Sequence, residues 1–214
     1  QELNLDELPI NDKKVFEMMS NGETTGVFQF ESAGMRRYLR ELQPTELEDL
    51  VAMNALYRPG PMEYIPQYIA GKHNPKKVKY PHPVLEPLLR KTYGIAVYQE
   101  QILRIAQEFS GFSLGEADIL RKAIGKKIIS ILEEQRKKFI DGGIAKGHTK
   151  QEGEKLFDDI VVPFAGYGFN RSHAVCYARI AYETAYMRAN YPVEFMAAMM
   201  TTDRNNTDRI VFEM

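Results

Sequence analysis

The run FAGYGFNRSHAVCYA, Phe164 to Ala178, gathers in one short stretch the residue types that recognise a flat, anionic molecule. Gly166 and Gly168 permit a sharp turn and a close backbone approach, while Tyr167 and Phe169 offer faces on which a base can stack. Asn170 and Arg171 add hydrogen-bond donors. Ser172 and His173 fall at the start of a long helical pattern, where open N–H groups and the helix dipole favour an anion. The same positive end disfavours an imidazolium, so His173 is expected to be neutral at pH 7. The competing reading is a run of ordinary core aromatics and a histidine that caps its helix. These residues alone do not decide between the two.

A second concentration lies in ADILRKAIGKK, Ala117 to Lys127, where Arg121, Lys122, Lys126 and Lys127 cluster toward a helix C-terminus. An arginine offers a planar fork and a lysine a point charge to phosphate oxygens, and Gly125 lets a ligand approach or simply ends the helix. The alternative is a solvated face on which Asp118 pairs with Lys122 at i, i+4. YRPGP, Tyr57 to Pro61, is a rigid turn that displays Arg58, because Pro59 and Pro61 fix φ and Gly60 permits the bend.

Catalytic machinery is not visible. The adjacent acids Asp158 and Asp159 point about 100° apart on a helix and chelate one ion poorly. His73, His82, His148 and His173 show no metal-ligand spacing, and there is no CxxC, phosphate-cradling P-loop or G-x-S-x-G elbow. The single cysteine, Cys176, excludes an internal disulfide and fits a reducing compartment. By its own residues the chain reads as a binder.

The elements that must position these groups are helical. Four S/T-x-x-E capping boxes stand at Thr45–Glu48, Ser113–Glu116, Ser130–Glu133 and Thr149–Glu152. Ile102, Ile105, Ala106 and Phe109 repeat at i, i+3, i+4, i+7, as do Val175, Ala178, Tyr182, Ala185 and Ala189 within a helix expected over Ser172–Asn190. Pro192 ends that helix and opens another. TGVFQF (Thr25–Phe30) and Gly94–Val97 are the only strand candidates. Seven prolines between Arg58 and Pro87 imply a long ordered loop with one short helix, Tyr64–Lys72. That segment, 58–87, divides possible lobes 1–57 and 88–214.

The 214 residues, 44% hydrophobic and 27% charged with a net charge of −1, are globular in character. Charge is unevenly placed: residues 1–50 carry a balance of −6, while 72–91 and 121–138 carry +5 each, which suits one face meeting a polyanion. No apolar run reaches the roughly 18 residues of a membrane span. Gln1 in place of an initiator Met, and the absence of a terminating pattern at Met214, suggest a piece of a longer protein.

Six stretches in this order, GVFQFESAGMRRYLRELQP, ALYRPGPM, TYGIAVYQEQI, SGFSLGEADILRKAIGKK, FAGYGFNRSHAVCYA and YPVEFMAAMMT, closely resemble the fingers domain of the C-family bacterial replicative polymerases, the DNA polymerase III alpha subunit of DnaE type. The likeness runs from about Leu5 to about Thr207. It implies a mainly α-helical fingers domain, 1–214, with few or no short strands, and with palm, thumb and phosphoesterase-like domains elsewhere. It also implies a cytoplasmic bacterial nucleotidyltransferase that extends a primer with deoxynucleoside triphosphates. Its Mg²⁺ would be held by palm aspartates and none by this segment. Partners would be primer-template DNA, the incoming nucleotide and, through other domains, the sliding clamp and further replicase subunits.

On this resemblance, Arg58, Arg121, Lys122, Lys126, Lys127 and Arg171 are candidate phosphate-binding residues. Tyr167, Gly168, Phe169, Asn170, Ser172 and His173 wall the sugar and base pocket, with His173 excluding ribose. Lys122 stands where the family commonly has arginine, losing the bidentate fork, and Arg171 stands where lysine is usual. Two other readings remain open from the residues: a stand-alone helical module that binds nucleic acid, or an interaction scaffold whose basic stretches are solvated faces.

Overall fold

The computed structural model describes residues 3–126, 129–164 and 167–205. In chain order its α-helices are α1 (Lys13–Ser20), α2 (Ala33–Leu42), α3 (Leu47–Leu56), α4 (Ile65–His73), α5 (Glu86–Leu89), α6 (Gln99–Ser110), α7 (Leu114–Lys126), α8 (Ile129–Ala145), α9 (Lys150–Leu156), α10 (Val162–Phe164), α11 (Arg171–Asn190) and α12 (Pro192–Thr202). A π-helical turn, Phe157–Val161, joins α9 to α10. Two candidate residues, Lys127 and Gly166, lie outside the described residues. No helix among the described residues is long and apolar enough to cross a membrane.

Helix accounts for the regular structure, as the sequence implies. Among the described residues there is no β-strand, only an isolated parallel bridge between Tyr98 and Phe169. Thr25–Phe30, expected as a strand, instead folds into successive turns, with Val27 N–H on Thr24 O at 3.1 Å and Phe30 N–H on Val27 O at 3.0 Å. Its two fully buried apolar residues, Val27 and Phe30, are three apart, a spacing that suits a turn and not the period of two of a strand. Side chains satisfy the backbone left over: Thr24 Oγ1 donates to Phe30 O at 2.7 Å, and Arg188 donates to Glu23 O and Thr25 O at 2.9 Å each.

The chain divides into two compact units, one holding the described residues up to Asn54 together with those from Ala174 onward, the other Ala55–His173. The division is discontinuous in sequence and does not fall at the Pro-rich segment 58–87, which lies wholly in the second unit. In the first unit, α11 buries Ala174, Ala178, Ala181, Tyr182 and Ala185. Val175 and Ala189, expected in that stripe, are only half-buried. The Tyr182 ring is fully buried 5.7 Å from the Phe16 ring, and its hydroxyl donates to Pro9 O at 2.6 Å while accepting the Asp12 N–H at 2.9 Å. A buried tyrosine so satisfied contributes its area without the cost of an unpaired hydroxyl.

The second unit is built on α6. Ile102, Ile105, Ala106 and Phe109, the expected stripe, are buried with Leu120 and Ile124 of α7, Phe139 of α8, and Leu156, Phe157, Val161 and Phe164 from α9 to α10. Each of the larger side chains in this set contributes about 1.5–3 kcal/mol on burial. Two capping boxes form as expected. Glu116 accepts from Ser113 N–H at 2.7 Å and returns its own amide to Ser113 Oγ, and Thr149 and Glu152 do the same. Lys138 of α8 meets Glu116 at 2.6 Å, and these contacts hold the Glu116 carboxyl down to about 2.

The other two boxes differ. Asp49, one residue beyond Glu48, accepts the Thr45 and Glu46 amides at 2.9 and 3.3 Å. Ser130 lies inside the first turn of α8, which already begins at Ile129.

Candidate functional site

Every residue singled out as a candidate belongs to the second unit, and the loop that follows α10 is its centre. Phe164 O accepts both the Tyr167 amide at 3.0 Å and the Gly168 amide at 2.8 Å, folding the chain back at the helix end. Gly168 is required by space: a Cβ there would overlap the buried Phe164 ring. The next residue crosses to the segment before α6, with the Phe169 amide on Val97 O at 3.2 Å and the Gln99 amide on Phe169 O at 2.9 Å. That segment is itself fixed by Gln101, whose Oε1 accepts the Val97 and Tyr98 amides at 2.8 and 2.9 Å and whose Nε2 donates to Thr92 Oγ1 at 2.9 Å.

The start of α11 is capped twice from within. Asn170 Oδ1 accepts the His173 amide at 2.9 Å, the geometry of an N-cap. Glu100 of α6 places its two carboxylate oxygens 3.2 and 3.1 Å from the Arg171 amide. Two of the opening amides expected to await an anion are therefore engaged by side chains. Asn170, Ser172 and His173 are exposed, and the His173 ring lies 5.4 Å from the half-buried Phe169 ring. The Arg171 guanidinium lies 5.8 Å from the Tyr98 ring centre.

The remaining loop residues turn inward. Tyr167 packs 5.0 Å from the Tyr64 ring and 5.3 Å from the Phe164 ring, and burial followed by the Tyr64 hydroxyl pushes its phenol well above the usual range. Arg58 Nε donates to Ala55 O at 2.9 Å, its Nη2 donates to Tyr167 O, and its guanidinium covers the Phe169 ring at 4.6 Å. Burial lowers its pKa.

Arg121, Lys122 and Lys126 of the basic cluster lie on α7. Asp118 Oδ1 accepts from Arg121 Nε at 2.9 Å and Nη2 at 2.7 Å, while Oδ2 meets Lys122 Nζ at 2.7 Å. The two cations, Lys122 first, hold the Asp118 carboxyl below its ordinary value. Lys126 is exposed in the last turn. Asp158 is engaged with Arg136 at 2.9 and 2.7 Å.

One cluster escaped the sequence. His82, His148 and Glu152 bring ligand-type atoms within 4.8 Å of one another. Their polarity is that of a hydrogen-bonded cap. The Val84 amide donates to His82 Nδ1 at 3.2 Å, so the proton of the neutral ring sits on Nε2, which faces Glu152 Oε1 at 3.7 Å as a donor and not as a lone-pair ligand. His148 stacks on Phe109 at 4.3 Å. The one hint in the sequence is that His148 immediately precedes the Thr149–Glu152 capping box; its meeting with His82 is a tertiary event.

Comparison with known proteins shows the family of the chain. The profile of the bacterial DNA polymerase III alpha subunit finger domain matches residues 1–147. The chain is 52% identical over 208 residues to DNA polymerase III subunit alpha of Halalkalibacterium halodurans, covering 97% of this chain and 18% of that protein. It is 51% identical over 205 residues to the subunit of Borreliella burgdorferi, covering 96% and 18%. With the subunit of Thermus aquaticus it shares 50% identity over 214 residues, covering 98% and 18%. The chain thus spans less than a fifth of the length of these relatives. It belongs to the finger-domain family of the bacterial DNA polymerase III alpha subunit.

Proposed function

We propose that this chain forms the fingers of a template-directed DNA polymerase, binding the incoming deoxynucleoside triphosphate and guiding the template during replication. The observation that carries the reading is the 167–173 loop: a backbone fastened on three sides, with Asn170, Ser172 and His173 left exposed at the start of a 20-residue helix. A rigid base with a polar, aromatic-flanked edge is what a nucleotide pocket needs, because pre-organised contacts cost little on binding.

In this reading Arg121, Lys122, Lys126 and Lys127 approach the triphosphate, Arg171 adds charge beside it, and Phe169 and His173 border the base and sugar. The two Mg²⁺ ions that phosphoryl transfer requires would be held by palm carboxylates of the full-length polymerase. No chemical step is assigned to a side chain of this segment, which binds and orients only.

A ribonucleotide carries the same base, so discrimination requires the extra hydroxyl to clash or go unsatisfied. His173→Ala in the full-length polymerase should lower the ratio of kcat/KM for dNTP over rNTP by about tenfold or more. Paired single-nucleotide incorporation measures it. An unchanged ratio with both rates equally reduced would return His173 to a purely structural role.

A further inference from the structure

The Arg58 guanidinium was a candidate phosphate ligand by residue type, but its bonds run into the protein. Nε donates to Ala55 O and Nη2 to Tyr167 O, and the planar group lies on the Phe169 ring. It therefore touches the loop on both sides of Gly168, at the Tyr167 carbonyl and the Phe169 face, and ties both to the end of α3. No carboxylate among the described residues pairs with it. Its own backbone is fixed as well: the Arg58 amide bonds Leu56 O at 2.8 Å and the Met62 amide bonds Arg58 O at 3.2 Å. The turn that holds it is set by Pro59, Pro61 and Gly60 at φ +102°.

We infer that Arg58 is a positioning residue of the nucleotide pocket, the peg that locks the Tyr167–Asn170 loop in its working shape, and not a ligand of the triphosphate. The inference rests on the nucleotide-binding reading of that loop. Its physical content is the fork. Arginine's planar guanidinium donates to two carbonyls from fixed positions along one edge while lying flat on an aromatic ring; a lysine keeps the charge but has neither the plane nor the fixed fork. A phosphate ligand behaves in the opposite way, since the charge is most of its contribution and lysine preserves it.

The test uses the full-length polymerase with Arg58→Lys and Arg58→Ala, and Phe169→Leu as a milder variant that removes only the stacking face. Amide exchange followed by mass spectrometry should quicken about tenfold in peptides covering 167–173 and 97–101 for both Arg58 variants, less for Phe169→Leu, with α8 unchanged. The dNTP KM should rise roughly tenfold in both Arg58 variants, lysine failing to rescue, while the inhibition constant of inorganic tripolyphosphate stays put. Unchanged loop exchange, or tripolyphosphate binding weakened by alanine and restored by lysine, would overturn the positioning role in favour of a direct phosphate contact. Quickened loop exchange with dNTP KM unmoved would support the lock and overturn instead the nucleotide reading of the loop.

Discussion

Asp118 grips Arg121 and Lys122 at once, one carboxylate oxygen for each cation, at 2.7 Å in both cases. If these cations are to meet a triphosphate, the carboxylate is their internal competitor. The pairs are substantially exposed, so solvent screens them and their removal should move the thermal midpoint by no more than ~2 °C. Asp118→Asn in the full-length polymerase should therefore lower the dNTP KM severalfold, whereas Arg121→Ala should lower kcat/KM roughly tenfold. Steady-state primer extension reads both. An Asp118→Asn enzyme with a raised KM would mean the carboxylate aims the arginine instead of restraining it.

Gly168 makes a sharper demand on space. The methyl group of Gly168→Ala would overlap the Phe164 ring, and Phe164 is buried in the main cluster of the second unit. Overpacking of this kind costs about 1–3 kcal/mol. Urea unfolding should show that loss, and Phe164→Leu in the same chain should recover part of it by yielding the ring's place. Strictly additive effects of the two substitutions would show that the loop relieves the clash by moving.

The His82 ring carries a pH dependence. Burial, and then the neighbouring His148, push its pKa below the ordinary 6.5, while Glu152 acts the other way. His148 and Glu152 are the titrating groups that face it, and the Val84 amide occupies its Nδ1. The unfolded chain therefore takes up a proton that the folded chain resists, so this contribution is complete above about pH 7 and is lost as pH falls through about 6.5. His82→Asn keeps an acceptor for the Val84 amide and removes the titration. Its stability should decline less than wild type between about pH 7 and 5.5 in urea unfolding, and parallel declines would exclude His82 as the source.

What could be read from the chain was local. The α6 stripe, the Ser113 and Thr149 boxes and the Pro192 helix start all appear as their spacing dictates, since each depends on residues within two turns of one another. The Thr45 box failed by one residue because Asp49 reaches the same amides, and TGVFQF failed because distant side chains, Arg188 among them, satisfy its backbone without a ladder. At the candidate loop, residue types drew attention to the stretch but not to the directions of its side chains. Arg58 and Tyr167 spend their polar groups inside the protein, and Gln101 and Glu100, which hold the loop in place, had nothing in the sequence to single them out.

Glu100 has a double address, in the first turn of α6 and against the first amide of α11. Each helix start is equivalent to about half a positive charge, so one carboxylate is the common counter-charge for both. The chain thus supplies its own counter-charge to two helix starts at this corner. A polyanion approaching this corner would then be drawn by side-chain cations more than by backbone dipoles, and its attraction should fade with added salt as that of any screened surface charge does.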